Sequence, residues 1–284
     1  MKRLATLLLS GAAFATLAQG AIELPTMFSD HSVLQRGEKV PVWGWGAEPG
    51  ELVMVNISNN GTLFTASAKA GEDGAWRVEL EPMKASAEGS DLKVRGTESG
   101  DEVIVKNVLV GEVWMASGQS NMQWTLSRSE RAKEDIPKAK YPAVRMFLTD
   151  LVTAASPQRK VGGQWFETTP ENAPNFSAVG YYFALKIHEE VGVPVGIIRT
   201  AWGGKPSEAF TSRETLSSKP EGKALVDRVD QESAKFDPEK AKADHERRMK
   251  AWLEVQRANR AEKDPAKRKK LGRRPGLATS PALN

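Results

Sequence analysis

The stretch that decides the fold is EVWMASGQSNM at residues 112–122, in which an apolar run gives way to small residues and then to a serine. The apolar run at 113–116 predicts a buried strand, and Ser120 falls in the turn beyond its carboxyl end. Open α/β sheets place their ligands at that edge. A serine there is a candidate nucleophile if a base takes its proton, because nearby backbone N–H groups can stabilise an oxyanion. An ordinary helix cap is the alternative for Ser120, since serine and asparagine are common capping residues.

Further strands and a helix follow this stretch. Residues 144–148 and 195–200 predict two more buried strands. Between them, residues 177–191 carry apolar side chains at helical spacing and end before Gly192. Near-continuous apolar strands that alternate with a helix indicate a parallel sheet with helices on its faces.

A second loop of interest, RTAWGGKP at residues 199–206, follows the last of these strands. Because the carboxyl ends of parallel strands share one edge, we expect this loop to lie beside Ser120. The paired glycines Gly203 and Gly204 let the backbone approach a ligand closely and point an N–H into the site. The alternative is a loop whose glycines only turn the chain.

The residues before this sheet have a different pattern. From 22 to 108, short apolar runs alternate with turn-forming segments such as 48–50, 59–61 and 72–74. Strands at a spacing of about 8–12 residues predict a β-sandwich domain over 22–108, with the α/β domain at 109–284.

The first 20 residues predict a signal peptide. They combine Lys2 and Arg3, an apolar stretch at 4–17, and a small-x-small cleavage site at 18–20. The apolar stretch is shorter than the ~20 residues of a membrane-spanning helix, and no other segment is a candidate. We therefore expect an exported protein, periplasmic or extracellular, with no membrane attachment after cleavage.

The basic character of the chain is confined to one segment. The sequence pI is about 9.1, but residues 221–274 hold 17 Lys and Arg against 11 Asp and Glu, and the remainder holds 23 against 25. We expect a charged helical insertion at about 221–272, mostly solvated, with a thin apolar stripe that includes Met249 and Trp252. A nucleic-acid or anionic-surface binder is the alternative for this segment. Interleaved acids argue against it, so no nucleic-acid partner is expected.

Composition excludes several kinds of site. The chain has no cysteine, which excludes disulfides and thiolate metal sites. It has only three histidines, His31, His188 and His245, so a multi-histidine metal site is not expected. The sequence makes no prediction of oligomeric state.

Residues 111–122 and 193–204 together resemble two motif blocks of the SGNH hydrolases, specifically of the sialate O-acetylesterase-like carbohydrate esterases. FSAVGY at 176–181 is similar to the same family. FSDHSVLQ at 28–35 and VWGWG at 42–46 resemble the β domain that precedes the catalytic domain in these proteins.

The resemblance implies a flavodoxin-like α/β/α hydrolase that removes O-acetyl groups from sialic acid or other glycans, with no metal or other cofactor. Ser120 matches the nucleophile, and its own N–H with that of Gly203 or Gly204 would help to form the oxyanion hole. Gln119 and Asn121, on either side of the serine, are candidates for the oxyanion and substrate site. Trp124 and Trp202 could stack on a sugar, whereas Trp114, inside a strand, is expected in the core.

The sequence departs from the family pattern in its later part. The third-block asparagine and the Asp-x-x-His motif are not found; Asp244 and His245 are adjacent, which does not fit that spacing. His188 lies mid-helix and is expected to be structural, and His31 lies in the β domain. We therefore expect the front portion of the family pattern, with a truncated hydrolase domain. The alternative is a catalytically inactive or fragmentary carbohydrate-binding or structural protein.

Overall fold

The computed structural model describes residues 21–152, 154 and 157–276, so the predicted signal peptide lies outside the described part. Its strands are β1 Val33–Gln35, β2 Val40–Gly44, β3 Leu52–Asn59, β4 Thr62–Lys69, β5 Trp76–Leu80, β6 Ser86–Gly96, β7 Glu102–Ala116, β8 Tyr141–Thr149, β9 Gly163–Thr168 and β10 Val195–Arg199. Its α-helices are α1 Ser120–Gln123, α2 Ala132–Asp135, α3 Ala178–Val191, α4 Arg213–Ser217, α5 Pro220–Ala234 and α6 Pro238–Ala261.

The first part of the chain is built mostly from antiparallel strands, and only the short β1 pairs parallel, with β7, among its described strands. β4, β3, β6 and β7 lie side by side in that order, and β2 pairs with β5 in a separate two-stranded sheet. Val53, Val55 and Ile57 alternate along β3 and are fully buried, as a strand with one face on a core requires. Val42 of β2 and Val78 of β5 belong to the same core cluster, so both sheets contribute to one apolar interior.

β7 is a single 15-residue strand that takes part in both halves of the fold. The sequence predicts separate strands at 102–105 and 113–116, on either side of the boundary between the predicted domains. In the structure Asn107 has a φ of 54°, and the register between β6 and β7 shifts nearby, as at a β-bulge. Lys106 and Asn107 therefore lie at a bulge within one strand and not in a turn between two strands. The predicted boundary between residues 108 and 109 falls inside β7, and the division into domains stays a prediction.

The second part is a mixed sheet with helices. β10 lies between β7 and β8 and is parallel to both, and β9 runs antiparallel to β8 at the edge. α3 packs on this sheet through Tyr181 and Ala184, which share a core with Met146 and Ile197. The helix begins where Ser177 Oγ accepts the Gly180 N–H at 3.0 Å, and it ends in a left-handed Gly192. The predicted positions of the helix and of the strands in this part are confirmed.

The carboxyl end of β7 is more open than the sequence predicts. Within the described sheet, residues 112–116 pair with β10 alone, so one edge of this stretch has no strand beside it. Met115 is 69% exposed and Trp114 is 44% exposed, with the Trp114 ring edge-on to Phe183 of α3 at 5.2 Å. The expectations of a buried strand and of Trp114 in the core are therefore wrong, because β7 becomes an edge strand at this point.

The charged segment forms two long helices, as predicted. α5 has one buried residue, Val226, and α6 has none. Met249 and Trp252 on the predicted stripe are half-buried, and Trp252 Nε1 donates to the Gly272 carbonyl at 2.9 Å. No helix in the described part of the chain is long and apolar enough to cross a bilayer.

Candidate active site

Ser120 is the first residue of α1, in the turn that follows β7. The backbone cap of this helix is Gln119, whose side chain makes no capping hydrogen bond. Ser120 is therefore not the cap that the alternative interpretation assigns to it. Its side chain is exposed, and its hydroxyl has no hydrogen-bond partner among the described residues.

α1 has only four residues, and the start of α3 holds it in place. The Leu126 N–H donates to the Phe176 carbonyl, and the Ala178 N–H donates to the Trp124 carbonyl, both at 2.8 Å. These bonds fix the chain as it leaves α1, so the position of a very short helix is set by the longer one beside it.

The second loop lies against the first, as the sequence predicts. The Thr200 N–H donates to the Ala116 carbonyl at 3.1 Å, and the Trp202 N–H donates to the Gly118 carbonyl at 2.9 Å. A Cβ atom on Gly203 would lie 3.3 Å from Ser120 Cα and 3.4 Å from Ser120 Cβ. The loops therefore pack so closely that glycine is the residue that fits at position 203.

The two glycines of the second loop differ in what their N–H groups do. The Gly203 N–H donates to Gln123 Oε1 at 2.7 Å. Gly204 has a left-handed backbone with φ of 80°, and its N–H has no hydrogen-bond partner within the described residues. Sequence reasoning missed Gln123, although an amide side chain three residues after a helical serine faces the same side as that serine.

The residues beside the serine are open to solvent. Gln119 and Asn121 are both exposed, and their side chains make no hydrogen bond to any described residue. Both are free to contact a ligand, but the geometry assigns neither of them a role.

None of the three histidines is hydrogen-bonded to Ser120. His188 Nδ1 lies 2.6 Å from the Val193 carbonyl and ties the end of α3 to the loop before β10. His31 Nδ1 accepts from Asn107 Nδ2 at 2.8 Å. His245 belongs to α6. The structure therefore places His188 in a structural contact, as expected from the sequence, and it places His31 in a contact with Asn107.

Cations lie near the loops that carry the site. Lys205 Nζ stands 4.3 Å from the centre of the Trp202 ring, and the Arg128 guanidinium stands 5.9 Å from that of Trp124. Arg199 ends β10, and burial lowers its pKa from the usual value of 12.5. Arg199 Nη1 donates to the Ala201 carbonyl at 3.3 Å. In the sequence this residue could have been noticed as an arginine at the end of an apolar strand.

A cavity of about 710 Å³ lies where the two parts of the chain meet. It is lined by Trp43 and Trp45 from the antiparallel part and by Met115 and Phe147 from the mixed sheet. Neither Ser120 nor Gly203 lines it, so the candidate nucleophile lies on an open surface outside this cavity.

Comparison with known proteins gives consistent relatives. No family model matches the chain. The chain is 27% identical over 219 residues to the sialate O-acetylesterase of Rattus norvegicus, a match that covers 72% of this chain and 40% of that protein. It is 31% identical over 193 residues to the sialate O-acetylesterase of Homo sapiens, covering 62% and 36% respectively.

A solved structure supports the same relationship. A carbohydrate acetylesterase from Xanthomonas citri matches with a TM-score of 0.64 and 36% identity, over 71% of this chain and 45% of that one. The chain spans less than half the length of the relatives it matches. Over the residues that it shares with them, the chain is a homologue of the sialate O-acetylesterases and of this carbohydrate acetylesterase.

Proposed function

We propose that this chain carries the nucleophile of a carbohydrate O-acetylesterase that removes acetyl groups from sialic acid or other glycans. The observation that supports this most directly is the position of Ser120, beyond the carboxyl end of β7 and so near Gly203 that a Cβ on that glycine would meet it. An exposed serine hydroxyl with N–H donors close by is the arrangement that acyl transfer uses. The sialate O-acetylesterase relatives give the substrate class.

The proposed reaction has two halves. Ser120 Oγ attacks the acetyl carbonyl carbon, its proton passes to a base, and the bond between the carbonyl carbon and the sugar oxygen breaks. The sugar leaves as an alcohol and an acetyl group remains on Ser120. Water then releases acetate and restores the hydroxyl. The N–H of Ser120 and one N–H of the second loop would stabilise the oxyanion that forms in each half.

A second candidate function is a catalytically inactive carbohydrate-binding or structural protein. The observation that favours it is that none of the three histidines is hydrogen-bonded to Ser120. A serine without its base retains only a small part of the catalytic rate.

Two measurements on the purified chain separate these candidates. The first is acetate release from 4-nitrophenyl acetate and from O-acetylated sialic acid. The second is the mass increase after reaction with diisopropyl fluorophosphate, in which the serine oxygen bonds to phosphorus and fluoride leaves. The esterase predicts both reactions, and Ser120→Ala abolishes both.

The matched control is Ser117→Ala, because Ser117 is an exposed serine three residues away in the same loop. The esterase predicts that this variant behaves as the wild type. Absence of both reactions in the wild-type chain would establish the inactive protein instead.

We further propose the finer features that the sequence predicts. These are a β-sandwich over residues 22–108, a flavodoxin-like hydrolase domain after it, and export to the periplasm or the extracellular space. The two sheets that share one core support the first feature, and the parallel pairing of β7, β10 and β8 supports the second. For export, the test is whether the chain recovered from a periplasmic fraction begins at residue 21.

A further inference from the structure

We propose that Gln123 is a positioning residue, which holds the Gly203 peptide against the helix of the nucleophile and leaves the N–H of Gly204 as the second-loop donor to the oxyanion. The inference rests on the proposed role of Ser120 as the nucleophile. It adds a residue to the site and chooses between two glycines that the sequence does not distinguish.

The first step of the argument is the reach of the Gln123 side chain. Gln123 is the last residue of α1, and Ser120 is the first, so the two side chains lie on the same side of one helical turn. Gln123 Oε1 accepts the Gly203 N–H at 2.7 Å, which is a short distance for an N–H···O hydrogen bond. One side chain therefore links the helix that carries the serine to the loop that follows β10.

The second step concerns the Gly203 N–H. Gly203 is half-buried, and a Cβ added to it would lie 2.9 Å from Gln123 Oε1. Removing the acceptor of an N–H that is partly shielded from water costs free energy, so this bond favours the arrangement seen here. The Gly203 N–H is thus occupied, and an oxyanion would have to displace Gln123 in order to use it.

The third step concerns Gly204. This residue is exposed, and its N–H has no acceptor among the described residues. Its φ of 80° lies in the left-handed region, so the peptide turns sharply just after the tied Gly203. A free N–H that follows a fixed one is suited to a charge that appears only during reaction, because it needs no rearrangement to donate.

The hydrogen bond between Gln123 and Gly203, here called the tie, is tested by amide hydrogen exchange, resolved to single residues by fragmentation and mass spectrometry. Gln123→Leu keeps the size of the side chain and removes the acceptor, whereas Gln123→Glu keeps the acceptor. We expect exchange at the Gly203 amide to rise about tenfold in the leucine variant and to stay within about threefold in the glutamate variant. Unchanged exchange in Gln123→Leu would overturn the tie, and this readout does not require catalysis.

The effect on positioning is tested by the rate of reaction of Ser120 with diisopropyl fluorophosphate. We expect the rate to fall about tenfold or more in Gln123→Leu and to stay within about threefold in Gln123→Glu, since a small misplacement of a reacting group is costly. An equal fall in both variants would indicate a general structural role and would overturn the positioning role.

The donor assignment is tested on the wild-type adduct, whose phosphoryl oxygen stands where the oxyanion would form. We expect the Gly204 amide to exchange about tenfold more slowly in the adduct and the Gly203 amide to be unchanged. Slowing at Gly203 alone would overturn the assignment. If wild-type Ser120 does not react, the proposed function and the donor assignment both fail, whereas exchange at Gly203 still decides the tie.

Discussion

The middle and the carboxyl end of β7 have the same kind of sequence and opposite environments. Toward its middle the strand lies beside β6, and residues 109–111 also pair with β1; there Leu109 and Val110 are buried. At its carboxyl end β7 pairs with β10 alone, and Trp114 and Met115 are exposed. Whether an apolar strand is buried therefore depends on the neighbours along its edges, which the strand's own sequence does not specify.

The largest effect on stability is expected at the bulge of β7, where Arg145 binds Asn107. Arg145 is almost fully buried, and it donates to the Asn107 carbonyl at 2.6 Å, to Asn107 Oδ1 at 3.0 Å and to Glu167 Oε1 at 3.1 Å. Burial lowers the pKa of Arg145 to about 10, but these partners retain its charge at neutral pH. Arg145→Met leaves the acceptors without donors, and we expect it to lower the free energy of unfolding by about 3–5 kcal/mol in urea.

The control for this prediction is Arg131→Met, which removes an exposed arginine paired with Asp135 at 3.2 Å. Exposed ion pairs contribute about 0–1 kcal/mol. Equal losses in the two variants would contradict the special role assigned to Arg145.

The next effect concerns the buried middle of β7. Leu109 packs with Phe147 and Trp165 in the small core behind the mixed sheet. Leu109→Ala removes buried methyl groups and leaves a cavity, so we expect a loss of about 3 kcal/mol in the free energy of unfolding, measured by urea denaturation. A loss below about 1 kcal/mol would mean that the middle of β7 is no better packed than its carboxyl end.

The stability of the antiparallel part should also depend on pH. Glu51 is fully buried, and burial alone would raise the pKa of its carboxyl group. Its carboxylate accepts hydrogen bonds from the Ser99 N–H and hydroxyl and from the N–H groups of Glu48 and Glu98. These bonds outweigh burial, so the pKa of Glu51 lies below its usual value of 4.5. Because the folded-state pKa is the lower one, this stabilisation is present above about pH 4.5 and is lost as the pH falls through the folded-state value.

Replacement of that carboxylate tests the sign of the dependence. We expect Glu51→Gln to cost about 1–3 kcal/mol at pH 7, since it removes charge-assisted hydrogen bonds. The difference from the wild type should shrink at pH 3, where the wild-type carboxyl loses its advantage. Urea unfolding at both pH values measures this, and a difference that grows at low pH would show that the sign is wrong.

The smallest effect belongs to the open end of β7. Met115 is mostly exposed, so Met115→Ala should change the free energy of unfolding by less than about 0.5 kcal/mol. The difference between the losses in Leu109→Ala and Met115→Ala measures how much better the middle of β7 is packed than its carboxyl end. A cost similar to that of Leu109→Ala would mean that the open end is covered in solution.

The meeting of Ser120 and Gly203 could be predicted from the sequence, and it is what the structure shows. Two apolar strands, each followed by a glycine-containing loop, predict neighbouring loops because parallel strands end at one edge. The helix at Ala178–Val191 was equally predictable, since its cap and its terminal glycine are local signals.

What the sequence could not provide depends on contacts between distant residues. The bulge at Asn107 is held by Arg145, 38 positions later, and nothing near Asn107 distinguishes a bulge from a turn. The bond from Gly203 to Gln123 joins residues 80 positions apart. The exposure of Trp114 follows from a missing neighbour on one edge of β7, which is a property of the sheet and not of the strand.

The continuity of β7 has a mechanical consequence. β7 spans 15 residues, at most roughly 50 Å at about 3.4 Å per extended residue, and it is shared by the antiparallel sheet and by the sheet that leads to Ser120. Because no loop separates the two sheets along β7, their relative placement depends on the bulge at Asn107 and on the hydrogen bonds from Arg145 that hold it. The two parts can be exchanged in evolution or in the laboratory only by splicing within a strand, where a shift of one residue would turn every side chain to the opposite face.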